Sequence, residues 1–198
     1  MMRRRFSDRR FACLLLLALC SLLAPGLPAT AAAPTPQPGN IAVNGFFSVD
    51  PAQQGSTFQA AVVLDIPRGL HVNGNRPLGK YAVPTTVRID APRGFRISPV
   101  TYPRAGVRTF NFGGGAAERL AVYEGRAVIR FNVTVPPGHE LGVARVRASV
   151  RFQACSDEVC YPPASRELVL PIAIVTRDTP VNRINHQYFG GGGGRRRR

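Results

Sequence analysis

Between Thr57 and Ile66 the sequence places Phe58, Ala60, Val62, Leu64 and Ile66 at every second position, interleaved with Thr57, Gln59 and Asp65. Residues two apart share one face of an extended strand, so such a run offers one side to a core and the other to water or a sheet edge. The same period recurs downstream. Phe131, Val133 and Val135 alternate with Arg130, Asn132 and Thr134, and Val146, Ala148, Val150 and Phe152 alternate with Arg145, Arg147, Ser149 and Arg151. These read as half-buried antiparallel strands. Further strands are expected at Ile41–Val49, Thr85–Asp90, Phe95–Thr101, Leu120–Tyr123 and Leu168–Val175, parted by Pro/Gly turns at 91–94 and 136–138. From Ile41 to Thr176 no window repeats apolar residues at helical spacing. Many short strands with regular turns imply an all-β fold, a two-sheet antiparallel sandwich. The chain has no Trp and its downstream cysteines are neighbours in sequence, so any immunoglobulin likeness is one of architecture.

Ahead of this region lies a leader. Arg3, Arg4, Arg5, Arg9 and Arg10 precede the apolar run Phe11–Ala24, and small residues around Ala31 offer a cleavage site. About 20 apolar residues are needed to cross a bilayer, and this run is shorter, broken by Ser21 and then by Pro25 and Gly26. Residues 1–31 are therefore expected to be a cleaved export signal, 32–40 a proline-rich linker, 41–178 the sandwich and 179–198 a disordered Gly/Arg tail. Arg3 and Arg4 before Phe6 loosely resemble a twin-arginine signal. Cys20 as a lipidation site is disfavoured by Leu19 before it. Removing the leader with Asp8 lowers the formal charge of +15 by four, and Arg195–Arg198 hold four more. The excess that remains suits solubility or attraction to anionic lipids and acidic surfaces, which the arginine tail can also contact weakly. Nucleic acid is not an expected partner outside the cytoplasm.

Cleavage removes Cys13 and Cys20 and leaves Cys155 and Cys160 in a compartment where disulfides persist. Both lie in FQACSDEVCYPP, just after the alternating strand that ends near Phe152. Their sulfurs meet only if the loop folds back, since a disulfide needs Cα atoms roughly 4.4 to 6.8 Å apart. As a structural staple so short a loop is worth about 2 kcal/mol, against about 3 for fifteen residues. The alternative is exchange, in which a thiolate attacks a disulfide and the second thiol resolves the mixed species. Both readings stand on spacing alone. His71, His139 and His186 show no ligand spacing to the cysteines, so no metal and no cofactor are expected, and His139 reads as a turn residue.

The cysteine segment resembles the redox-active stretch of the N-terminal periplasmic domain family of the thiol-disulfide interchange protein DsbD. GLHVNGNRP with VPTTVRIDAPRGF, and FNFGGGAAERLAVYEG, resemble two further stretches of that family, so the likeness runs from about Ile41 to Val175. The resemblance implies an immunoglobulin-like antiparallel β-sandwich whose Cys155 and Cys160 alternate between dithiol and disulfide. Electrons would come from a thioredoxin-like protein and pass to periplasmic acceptors, with Cys160 in the position of the cysteine that meets partners first. It also implies a cap loop with an aromatic residue over the pair. Phe110 and Phe112, in the glycine-rich segment Arg104–Arg119 read as a mobile loop, are the candidates, and the competing reading packs both in the core. Full-length members continue into membrane-embedded and thioredoxin-like domains, so the donor is expected to be a separate protein. Asp157 and Glu158 would raise a nearby thiol's pKa, which predicts slow reaction with random thiols and reliance on a docked partner. The rival expectation is an envelope binding module with a permanent disulfide.

Overall fold

The alternating segments become strands because only pairing buries their apolar face while satisfying every backbone group. The computed structural model describes residues 40–79, 81–112 and 115–190, and the leader, most of the linker and residues 191–198 lie outside them. In chain order the strands are β1 (Ala42–Phe47), β2 (Val49–Asp50), β3 (Ala52–Gln53), β4 (Thr57–Asp65), β5 (His71–Asn73), β6 (Thr86–Asp90) and β7 (Arg96–Ile97). They continue as β8 (Gly106–Phe110), β9 (Glu118–Tyr123), β10 (Arg126–Thr134), β11 (Gly142–Phe152), β12 (Ala154–Cys155), β13 (Ala164–Val175) and β14 (Asn182–Arg183), followed by one helical turn, His186–Phe189.

Two four-stranded sheets, ordered β1-β4-β10-β7 and β3-β13-β11-β6, supply the two faces of an immunoglobulin-like sandwich. Phe58, Val62, Leu64, Ile129 and Val133 from the first share one core with Val146, Val150, Phe152, Leu170 and Ile174 from the second. The sheets approach closely at Gly45, where a Cβ would lie 2.6 Å from a methyl of Leu170. All ladders are antiparallel except β13 with β3. A third sheet, β12-β5-β9-β8, adds Val72, Tyr123 and Ala154 to the same core. No helix of the described residues is long and apolar enough to cross a membrane.

Three expectations need correction. The Phe95–Thr101 strand reduces to β7 and one bridge from Thr101 to Arg130, because Pro99 lacks the N–H a continuous ladder needs. Within Arg104–Arg119, residues 106–110 are not a loop but β8, paired with β9 from Gly106↔Val122 to Phe110↔Glu118. The tail expected from residue 179 is ordered through Gly190: β14 pairs with β2, and the Asn185 amide donates to the Phe47 carbonyl at 2.9 Å.

The physical reason for the last correction lies in β4. Ala61 and Val63, between the core-facing residues, are also fully buried, and the helical turn covers them with Tyr188. Tyr188 stacks on Phe46 at 4.3 Å between centroids, and its carbonyl accepts from Arg130 Nε at 2.6 Å. Tyr188→Ala should therefore lower unfolding stability by about 2–3 kcal/mol, read from the urea midpoint of the purified chain. An unchanged midpoint would show that this segment does not seal the sheet.

Candidate functional site

β11 continues the period that begins at Ala144, and Ala144, Val146, Ala148, Val150, Phe152 and Ala154 all point into the core. At Gln153 the chain leaves the second sheet and joins the third, where Ala154 pairs with Val72 and Cys155 with His71. Parity therefore turns Gln153 and Cys155 to the opposite face. Residues 156–159 then reverse the chain. Ser156 N–H donates to the Val159 carbonyl at 2.8 Å, and Tyr161 N–H donates to Ala154 at 2.9 Å. Ser156 Oγ accepts from the amides of Glu158 and Val159, the local hydroxyl bonding that suits serine to turns.

These bonds make Cys155 and Cys160 a directly opposed pair of the non-hydrogen-bonded kind, whose side chains sit close on one face. Their Cα atoms are 4.0 Å apart and the sulfurs are bonded. The two are unequal in access: Cys155 is 0% exposed, whereas Cys160 lies on the surface.

Neighbouring strands extend the same face. His71 opposes Cys155, Asn73 opposes Val122, and Leu120 and Val122 cluster with Phe110. Phe110 is buried and stacks on the His71 ring at 4.0 Å. Phe112 is half-buried, stacks on Phe110 at 5.5 Å, and lines a cleft of about 480 Å³ together with Cys160, Val159, Leu120 and Tyr81. Of the two phenylalanines, Phe112 shares the cleft with the exposed cysteine and Phe110 lies beneath it. Gly79, two residues before Tyr81, lies against β9, where a Cβ would come within 2.8 Å of Leu120.

Gln153 ties the site together. Its Oε1 accepts from Asn73 Nδ2 at 3.0 Å and from Val83 N–H at 3.1 Å, and its Nε2 donates to the Tyr161 carbonyl at 3.2 Å. One side chain thus holds β5, the segment before β6 and both legs of the cysteine hairpin.

His71 and Asn73 were not singled out as site residues by the sequence. Their signal was available: in His71-Val72-Asn73 the middle residue joins the core, so the flanking pair must share the other face. His139 packs edge-on against Phe95, and His186 opens the helical turn. Among the described residues, no group of three His, Cys, Asp or Glu side chains is placed to hold a metal.

The sequence family described as thiol:disulfide interchange protein DsbD, N-terminal, matches residues 39–171. Among solved structures, the N-terminal periplasmic domain of ScsB from Proteus mirabilis is similar, with a TM-score of 0.44 and 14% identity over 69% of this chain and 50% of that one. A family 123 glycoside hydrolase from Clostridium perfringens gives a TM-score of 0.36 and 11% identity over 66% of this chain and 23% of its own. The chain spans half the length of the ScsB structure and under a quarter of the hydrolase. No protein of curated function matches it.

Burial of His71 has a consequence for stability. Desolvation pushes its pKa below the ordinary value, outweighing the opposing pull of Asp157 and Glu124. The folded state therefore binds fewer protons than the unfolded one, so the contribution is full above about pH 6.5 and is lost as pH falls below it. Chemical denaturation from pH 7.5 to 5 should show a decline that His71→Phe reduces. Equal slopes in both proteins would place the decline elsewhere.

Proposed function

The chain belongs to the family of DsbD N-terminal domains, and on that premise we propose that it is a periplasmic thiol-disulfide exchange module acting between thioredoxin-like proteins. The leader directs export and is removed, 32–40 is a spacer, and the sandwich carries the reacting pair, Cys155 and Cys160. No bound cofactor takes part.

The observation that carries this reading is the unequal access of two bonded sulfurs beside an apolar cleft. A partner thiolate must approach in line with the S–S bond, and only Cys160 stands at the surface. Its Sγ is the atom attacked. The S–S bond breaks, the electron pair leaves on Cys155 Sγ, and a mixed disulfide joins Cys160 to the partner. The partner's second thiolate then attacks its own sulfur in that bond, leaves oxidised, and releases the Cys160 thiolate. Two electrons and two protons have entered the domain, and the reverse sequence passes them to an acceptor.

Docking surface lies beside the pair. Tyr81 is 83% exposed and Val159 49% exposed, and both line the cleft with Cys160. Phe112 is the cap residue of this reading, positioned to keep small thiols from the sulfur until a partner displaces it. Asp157 and Glu158, exposed in the turn, disfavour a thiolate nearby, so rate depends on the docked complex.

The redox equilibrium of the mature protein against glutathione, read by thiol alkylation, is the direct test. A potential less negative than about −300 mV is expected, since structural disulfides typically lie below that value. Cys155→Ser should trap mixed disulfides with thioredoxin-like proteins through Cys160, and Cys160→Ser should trap at least tenfold less because the remaining thiol is buried. A pair that stays oxidised and traps nothing would leave a permanent disulfide in an envelope binding module.

A further inference from the structure

Two buried polar atoms, His71 Nε2 and Asn73 Oδ1, have no hydrogen-bond partner among the described residues. Both belong to β5, both side chains lie on the cysteine face, and their residues are 2% and 1% exposed. An unpaired buried acceptor is costly, and such atoms are rare in folded proteins. His71 is the more telling, because it directly opposes Cys155 in the β5·β12 pairing. Side chains so opposed have Cβ atoms about 4.5–5.5 Å apart. In the disulfide the Cys155 sulfur has no proton to give.

We propose that His71 is the positioning residue for the Cys155 sulfur in the dithiol state, and that the Sγ···Nε2 hydrogen bond made only there draws the redox equilibrium toward the dithiol. This rests on the exchange reading above. When a partner thiolate takes Cys160 Sγ, the electron pair of the broken bond goes to Cys155 Sγ. That sulfur then takes up one of the two protons that the partner's thiols give up. With the bond broken, the side chain is free to turn about χ1, and its S–H meets the lone pair of Nε2. One proton is then held between sulfur and nitrogen, and a group that was unpaired in the oxidised protein is paired in the reduced one.

The surroundings favour that arrangement over a free thiolate. Asp157 in the turn and Glu124 after β9 both act on His71, Glu118 lies on the same face of β9, and Arg108 on β8 is engaged with Glu124 at 3.0 Å. Phe110 covers the imidazole. A thiolate at Cys155 would face carboxylates from two elements and an aromatic wall, whereas the thiol–imidazole pair is neutral. Burial also holds His71 neutral, and the tautomer that carries its proton on Nδ1 offers the Nε2 lone pair.

The test compares wild-type mature protein with His71→Phe and His71→Gln in glutathione buffers at pH 7. His71→Phe keeps the stack on Phe110 but removes both the acceptor and its cost in the oxidised state, so the equilibrium should move at least about fivefold toward the disulfide, the factor one ordinary hydrogen bond supplies. His71→Gln, which retains an acceptor oxygen, should recover part of that shift. The His71 imidazole 15N resonances of the wild-type protein should change between the oxidised and reduced forms. A folded His71→Phe whose equilibrium stays within twofold of wild type overturns the proposal, as do unchanged 15N resonances should the variants fail to fold. A wild-type pair that stays oxidised in those buffers even with a thioredoxin-like protein added as mediator would instead overturn the exchange reading itself.

Discussion

Burial of Phe152 and Ala154 in the main core fixes the phase of the strand that carries them, and that phase fixes the direction of Gln153 and Cys155. The strand cannot slip by one residue without sending its apolar set into water and its arginines into the core. The odd-numbered side that displays Arg145, Arg147 and Arg151 to solvent along β11 is the same side that carries the hydrogen-bond hub and the disulfide two residues later. The difference is what lies against it. Over the second sheet that face is open, whereas at the third sheet Phe110, Leu120 and Val122 cluster on it.

The cysteine pair is thus positioned by packing some distance away. The turn contributes a few local hydrogen bonds, and Gln153 contributes one across the hairpin to Tyr161 and two that reach outside it. On the exchange reading proposed above, a sandwich core that does not include the Cys160 side of the hairpin is the part that stays fixed while the two sulfurs change covalent state. The ion pair near the site, Arg108–Glu124, is half-exposed and adds little to stability.

Much of this was legible in the sequence. The period-two runs of β4, β10 and β11 appear where they were expected, because an antiparallel strand with one wet face writes its burial into alternate residues. Three things did not announce themselves. β8 and β5 are short, and a strand of three to five residues shows too few repeats for a period to stand out. The turn at His186–Phe189 is covered by no periodicity at all, yet its partner was visible: Ala61 and Val63 broke the polar side of β4 and called for a cover. The proximity of His71 to Cys155, 84 positions apart in the chain, depends on which strand neighbours which, and spacing carries no information about that.

The ordered end of the domain joins parts of the chain that are made at very different times. The Asn185 side chain closes onto Phe47 across 138 positions, and Gln53 onto Thr179 across 126, so the sandwich is not closed until the segment that follows β13 has been delivered. Contacts of such long separation make for slow folding. The cysteine hairpin, by contrast, closes over a separation of five. The disulfide therefore joins near neighbours in the chain, and the long-range closures at Phe47 and Gln53 are left to hydrogen bonding and packing.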